Sequence, residues 1–178
     1  TCLLLKVSGI HPERVREIKV GDELALGPFR VKVCVAEHPA VPFFPLLGTL
    51  HADTHPPPRL RDYRMDHCFS FMISVHELRL AYCPAHGRPT DVLLIGIHRR
   101  RAKVTSLLRD ARPKLVIPLH WDNLFRPLSR PVREIRVPGG MSLRQFAQLV
   151  TEALPQCQVL IPETFRIYDL LDFDLKEV

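Results

Sequence analysis

Histidines that directly follow apolar runs are the residues best suited to chemistry in this 178-residue chain. His120 ends the run Leu115–Leu119, His98 follows the preceding apolar run, and His38 follows an alternating run nearer the amino terminus. A histidine in such a place is positioned by a rigid strand yet free to reach a cleft. The residue types therefore point to a ligand-binding or active-site role, above all for His120.

The elements that must position two of these histidines form a predicted strand, helix and strand. The apolar run Asp91–Ile97 and the run Leu115–Leu119 read as strands, and the segment between them has apolar residues at helical spacing. Such a βαβ unit has parallel strands covered on both faces. Ligands gather at the carboxyl ends of strands in open α/β sheets, so His98 and His120 indicate one cleft. The residues of the apolar helical face are Val104, Leu107, Leu108 and Ala111.

The rest of the chain supplies further predicted elements. Phe29–Val35 alternates as a half-buried strand does, and two runs joined at His76 predict a hairpin. Ser142 and Gln145 form a capping box that begins a helix. The proline-rich segment from Pro39 to Arg64 predicts a long loop, either a lid over the cleft or a surface excursion. The hairpin strands are Phe69–Val75 and Leu78–Tyr82, and short strands are predicted at Glu17–Val20, Val159–Ile161 and Phe165–Ile167.

Composition indicates one ordinary globular domain. The chain is 46% hydrophobic and carries 25 Lys and Arg against 19 Asp and Glu, a net charge of +6. The one dense basic cluster, His98–Arg101, has no interleaved aromatic residues, which argues against nucleic acid as a partner. An anionic small-molecule substrate, including one that bears phosphate, stays open.

The cysteines indicate a reducing compartment. Five are scattered without a CxxC pair, which suits free thiols better than a disulfide framework and predicts a cytoplasmic protein. No run approaches the length of a membrane span. The sequence begins with Thr1 rather than Met, so we expect it to begin inside a longer protein.

Four segments carry a resemblance to a known family. They are Glu37-His38-Pro39, Asp62-Tyr63-Arg64 leading into Phe69-Ser70-Phe71, Asp91 to Gly96, and Ile117-Pro118-Leu119-His120-Trp121-Asp122. In order and spacing they resemble the metallo-β-lactamase fold, and particularly its metal-dependent hydrolases akin to the ascorbate-phosphate lactonases. The resemblance implies an α/β chain built as an αββα sandwich, here a single domain over residues 1–178 that forms the carboxy-terminal portion of the fold.

The resemblance also implies a metal site. His38 and His120 lie where family members place metal-ligand histidines, and imidazole suits zinc, with manganese or iron as alternatives. The metal-bound hydroxide would attack an ester, lactone, amide or phosphoester of a small molecule. His86 and His98 are further candidates for the metal or its pocket. Trp121 is either a pocket wall or core, and Asp122 either orients a ligand histidine or caps the following turn.

The chain departs from the family pattern in two places. HxHxDH, which supplies most ligands of the first metal in the family, is absent, and the turn Cys83–Gly87 contains no carboxylate. The simplest explanation is that the amino-terminal part of the fold is lacking, and no catalytic acid or base can be assigned. The alternative function is a catalytically silent half-domain that binds a partner or self-associates as a homo-oligomer, because half a sandwich leaves an apolar face uncovered.

Overall fold

The computed structural model describes residues 2–37, 48, 68–123, 127, 129–135 and 139–170. Three helices and seven strands lie within these ranges, with a short 3₁₀ turn at Pro12–Arg14. The helices are α1 (Cys2–Val7), α2 (Arg101–Ala111) and α3 (Leu143–Ala153). The strands are β1 (Glu23–Leu26), β2 (Phe29–Val35), β3 (Phe69–Val75), β4 (Leu78–Tyr82), β5 (Val92–Gly96), β6 (Leu115–Leu119) and β7 (Gln158–Val159).

The strands form one mixed sheet in the order β1-β2-β3-β4-β5-β6-β7. β1 to β4 pair antiparallel, and β4 to β7 pair parallel. Parallel neighbours need a crossover, and α2 provides the one between β5 and β6, which confirms the predicted βαβ unit. The expected α/β class is confirmed by this sheet and its helices.

The two helices α2 and α3 cover one face of the parallel half of the sheet. Both are amphipathic, and their apolar faces pack on alternate residues of β4, β5 and β6. We call this face the helix side. The predicted face of α2 is buried as expected, and α3 begins at Ser142 with the predicted capping box. The opposite face carries a smaller core, whose buried members are Val92, Leu115 and Leu160.

Two predicted strands are wrong. Glu17–Val20 is irregular, because Lys19 and Asp22 close a turn in which the Lys19 amide donates to the Asp22 carboxylate (3.0 Å) and Gly21 adopts a φ of +96°. The strand begins after this turn, as β1. Phe165–Ile167 is also irregular, since Phe165 has a φ of +63° and is 86% exposed. The strand predicted at Val159–Ile161 is shorter and begins one residue earlier, as β7.

The proline-rich segment predicted as a loop from Pro39 to Arg64 lies outside the described residues, apart from Gly48. The hairpin of β3 and β4 is confirmed, with His76 in its turn. All five cysteines are free thiols. Among the described helices, none is long and apolar enough to cross a membrane.

Asp91, just before β5, binds residues at the starts of both neighbouring strands, β4 and β6. Its side chain is 15% exposed, accepts a hydrogen bond from the Arg79 amide (3.0 Å) and lies 3.2 Å from Lys114 Nζ. Burial alone would raise the pKa of the Asp91 carboxyl, but the Arg79 amide and Lys114 outweigh it, so this pKa lies below the ordinary value of 3.8. The carboxylate therefore stabilises the fold above that value, and the contribution is lost as the pH falls through the lowered pKa.

Asp91→Asn is expected to lower the free energy of unfolding by about 1.5 kcal/mol near neutral pH, because charged hydrogen bonds at a nearly buried site are lost. Urea denaturation of both proteins at a series of pH values measures the difference. The difference should shrink as the pH falls below about 4, where the wild-type carboxyl takes up its proton. Glu77→Gln, at an exposed carboxylate in the β3–β4 turn, is the control. A difference that stayed constant down to low pH would contradict this role.

Candidate functional site

Three adjacent parallel strands, β4, β5 and β6, end at one edge of the sheet. Tyr82 is in register with Leu94, and Gly96 with Leu119, so the residues that follow these strands lie at the same end of the sheet. These following residues include Cys83, His98 and His120. The structure thus brings His98 and His120 to the same edge and adds a cysteine to them. We call this the carboxyl edge.

His120 is exposed and adopts a φ of +55°, a left-handed conformation that is uncommon for residues other than glycine. Its ring lies over the end of β5, since a methyl group built on Gly96 would come within 3.4 Å of His120 Cδ2. The Leu119 carbonyl meanwhile accepts the Ile97 amide (3.2 Å), which ties the two strand ends together. The absence of a side chain at Gly96 therefore leaves room for the imidazole.

Cys83 is the second residue of this edge with a left-handed backbone, at a φ of +46°. Its amide donates to the Leu94 carbonyl (2.8 Å), and Arg99 Nη2 donates to its carbonyl (3.5 Å). Burial raises the pKa of the Cys83 thiol, although Arg99 and the Gly96 backbone act in the opposite direction. Unusual backbone conformations cluster at functional sites, so two of them, after the strands on either side of β5, make this edge the best candidate.

Cys83 is not among the candidate site residues that the sequence predicts, because the five cysteines read as scattered free thiols. The available signal was its position, directly after the apolar strand β4 and directly before Pro84. That is the same strand-end placement that singled out His120. Burial raises the pKa of the neighbouring Tyr82 hydroxyl most, and the Cys83 thiol raises it further. The two side chains therefore interact.

His98 has both ring nitrogens buried without a hydrogen-bond partner among the described residues. A buried polar atom without a partner costs free energy and calls for an explanation, such as an ion or a catalytic role. His98 lies two residues beyond β5, in the turn that leads to α2. Its two ring nitrogens at the carboxyl edge are therefore not used by hydrogen bonds within the described residues.

His38 lies outside the described residues, so its predicted convergence with His120 stays a prediction. The chain leading to it is described. β2 is antiparallel to β3 and β3 to β4, so β2 ends at the same edge as β4, β5 and β6. Glu37 Oε2 lies 3.3 Å from Lys103 Nζ in the first turn of α2. The residue before His38 therefore contacts the helix that follows His98.

The remaining predicted site residues occupy other places. His86 is exposed and lines a cavity on the helix side of β2 and β3. Trp121 is half-buried and packs against the helix-side core. The backbone of Asp122 pairs with Glu134, because the Ile135 amide donates to the Trp121 carbonyl (2.8 Å). Its carboxylate has no hydrogen bond or ion pair within the described part of the chain.

The donors at the carboxyl edge fit zinc by type, since imidazole and thiolate are its usual ligands. They do not fit by number. In the ranges that the structure describes, no three side chains of His, Cys, Asp or Glu come together closely enough to hold a metal ion. A metal at this edge would therefore need a ligand from another part of the chain or protein.

The chain matches no family model and no curated protein. It is similar to solved structures of the metallo-β-lactamase fold. One is the metallo-β-lactamase fold protein YhfI from Bacillus subtilis, at 10% identity and a TM-score of 0.48, with 83% of this chain and 51% of that chain covered.

Two further structures are similar to about the same degree. A protein from Parabacteroides distasonis described as a metal-dependent hydrolase is 12% identical, with a TM-score of 0.47 and coverage of 85% of this chain and 59% of that chain. A protein from Thermotoga maritima described as a Zn-dependent hydrolase of the metallo-β-lactamase superfamily is 11% identical, with a TM-score of 0.47 and coverage of 82% and 71%. The chain therefore spans between about half and seven tenths of these structures.

Proposed function

We propose that this chain carries the carboxy-terminal part of a metal-dependent hydrolase of the metallo-β-lactamase type, acting on an ester, lactone or phosphoester of a small molecule. The observation that carries the proposal is the carboxyl edge, where adjacent parallel strands deliver Cys83, His98 and His120. Two of these residues have a left-handed backbone. Ligand sites of open α/β sheets lie at this end of the strands.

His120 and His38 are the proposed metal ligands, as the sequence resemblance implies. The contact of Glu37 with Lys103 supports this pairing, because it holds the chain that precedes His38 against the helix that follows His98. His98, whose ring nitrogens have no partner among the described residues, and the Cys83 thiol are further candidate ligands at this edge. Zinc is the proposed metal, because imidazole and thiolate both suit it, and manganese or iron are the alternatives.

A zinc ion held by His120 and His38 would supply a hydroxide at neutral pH. The chain's own residues would position the substrate. Arg99 donates to the Cys83 carbonyl and so holds a fixed positive charge at the carboxyl edge, and Arg100 and Arg101 follow it. Such a cluster attracts anions, which favours a substrate with a negative charge near the scissile bond. Gly96 leaves the space in which the His120 ring is held.

The test is zinc binding by the purified protein, compared between His120→Asn and His76→Asn. Both histidines are exposed and have a left-handed backbone, at φ values of +55° and +50°, and asparagine tolerates that conformation. His76 lies in the β3–β4 turn, at the opposite edge of the sheet. We expect His120→Asn to weaken zinc binding by at least about 100-fold, the upper end of the loss when only an outer partner of a ligand is removed, and His76→Asn to leave it unchanged.

Titration calorimetry with zinc, and metal analysis after dialysis, give the affinity and the number of ions bound. Manganese and iron are titrated in the same way. Circular dichroism shows whether each variant keeps the fold, so that a loss of binding is not mistaken for unfolding. No retained zinc, manganese or iron in the wild-type protein, or equal affinity in both variants, would overturn the proposal.

A further inference from the structure

A basic groove lies on the helix side of the sheet, where β1, β2 and β3 extend beyond the two helices. It consists of two cavities of about 410 Å³ and 290 Å³ that share Lys32, Met72 and Arg88. The larger one is lined by four basic side chains and one acidic one, Glu23. Its size is that of a small-molecule site, which typically measures about 300 to 1,000 Å³.

Three strands place a row of polar side chains across the floor of the larger cavity. Arg30 of β2 lies directly opposite Ser74 of β3, and Ser74 lies directly opposite Arg79 of β4. Neighbouring strands are about 4.8 Å apart, so the Cα atoms of the two arginines are about 10 Å apart, with Ser74 between them. Both guanidinium groups and the hydroxyl are hydrogen-bond donors. The backbone that carries the row is fixed by the pairing of three strands.

The charges of this cavity are only partly neutralised. Lys32 Nζ lies 2.8 Å from Glu23 Oε1, and Arg79 Nε lies 3.8 Å from Asp91 Oδ2. Arg30 also lowers the pKa of Glu23, although Lys32 has the larger effect. Neither Arg30 nor Arg88 forms an ion pair with any carboxylate of the described residues. Two unmatched guanidinium groups in one concave site repel each other unless an anion lies between them.

The loop that carries Arg88 is held in place by α2. Gly87 approaches this helix so closely that a methyl group on it would lie 2.3 Å from Asp110 Cβ. On the other side of Arg88, the Thr90 hydroxyl donates to the Arg79 carbonyl (2.9 Å) and the Thr90 amide to the Ala111 carbonyl (3.1 Å). Arg88 is thus exposed but extends from a fixed backbone, which lowers the entropy lost when it binds a ligand.

We propose that this groove binds a phosphorylated small molecule, with the phosphate between Arg30, Arg79 and Arg88 and an apolar body along Met72. Phosphate suits the site better than carboxylate because its three terminal oxygens can use three guanidinium groups and the Ser74 hydroxyl at once. The site is formed by other residues than the proposed metal ligands. A negative result for the hydrolase proposal would therefore leave this one unaffected, and the reverse also holds.

The experiment is a binding titration with phenyl phosphate in the presence of EDTA, so that neither metal binding nor turnover contributes. Arg30→Gln and Arg88→Gln should each raise the dissociation constant about tenfold, because each removes charge-assisted hydrogen bonds to the phosphate. Arg144→Gln, at an exposed arginine on α3, is the matched control and should leave it unchanged. His120→Asn should also bind phenyl phosphate as the wild-type protein does, which separates this site from the proposed metal site.

Three other probes complete the test. Inorganic phosphate should bind more weakly than phenyl phosphate, since it lacks the apolar body, and benzoate should bind more weakly because it is a carboxylate. Benzoate binding as tightly as phenyl phosphate would overturn the assignment of phosphate. A single-stranded oligothymidylate that binds more tightly, and loses affinity in the same variants, would replace the small molecule by nucleic acid. No saturable binding of phenyl phosphate at millimolar concentration, or an equal loss in Arg144→Gln, would remove the site.

Discussion

Gly87→Ala is expected to lower the free energy of unfolding by about 3 kcal/mol, the upper range for overpacking a rigid site. The new methyl group would lie 2.3 Å from Asp110 Cβ, 3.0 Å from the Leu107 carbonyl oxygen and 3.1 Å from the Ala111 amide nitrogen. Two of these atoms belong to the backbone of α2 and cannot move aside without disturbing the helix. The loop and helix must therefore separate.

Urea denaturation measures this loss, and Gly139→Ala is its control. Gly139 has open space around it and a φ of +75°, so its substitution strains the backbone without a clash and should cost about 1 kcal/mol. Removing the Asp110 side chain together with the glycine change, as Gly87→Ala/Asp110→Gly, should recover part of the stability. A Gly87→Ala protein within about 0.5 kcal/mol of the wild type would contradict the close approach.

The same substitution should affect both proposed sites. The loop from Cys83 to Thr90 begins at the carboxyl edge and ends beside the basic groove, with Arg88 between. Displacing this loop from α2 moves the Cys83 thiol away from β5. It also moves the Arg88 guanidinium away from the row of Arg30, Ser74 and Arg79. In the folded fraction of Gly87→Ala, zinc and phenyl phosphate are therefore both expected to bind more weakly than in Gly139→Ala.

Local patterns were sufficient to predict most of the parallel half of the fold. The apolar runs at β5 and β6 and the helical spacing in α2 each reflect one element buried on a known face. Ser142 and Gln145 were equally informative, because a capping box is a contact between residues three apart. The strand at Glu17–Val20 was predicted wrongly from the same kind of local pattern. The apolar residues of this segment gave a weak strand signal, but the turn at Gly21 places the strand after it, as β1.

The candidate sites depend on register, which no local pattern contains. Arg30, Ser74 and Arg79 are 44 and five residues apart along the chain, and only the pairing of three strands places them in one row. Cys83 and His120 likewise lie at one edge because β4 and β6 both pair in parallel with β5. Arg30 and Arg79 alone read as ordinary polar positions of half-buried strands. The sequence could therefore predict strand-end histidines but not the basic groove.

Phe146 is the residue whose truncation should cost most, because it joins both helices to the sheet. It is fully buried on α3, in the core that also contains Leu107 of α2 and Leu93 of β5. Phe146→Ala should lower the free energy of unfolding by about 3 to 5 kcal/mol, through lost burial and the cavity left behind. Domains of this size are stable by about 5 to 15 kcal/mol, so the variant should unfold at markedly lower urea concentration.

Phe165→Ala is the matched comparison, since it removes the same ring from a side chain that is 86% exposed. Its effect should stay within about 0.5 kcal/mol, as for surface substitutions in general. If α3 holds the sheet only through packing, Phe146→Ala should also lower the protection of β6 amides from hydrogen exchange, whereas Phe165→Ala should not. Equal stability of the two variants would mean that α3 does not pack on the sheet, and the carboxyl edge would then lack the support that positions His120 after β6.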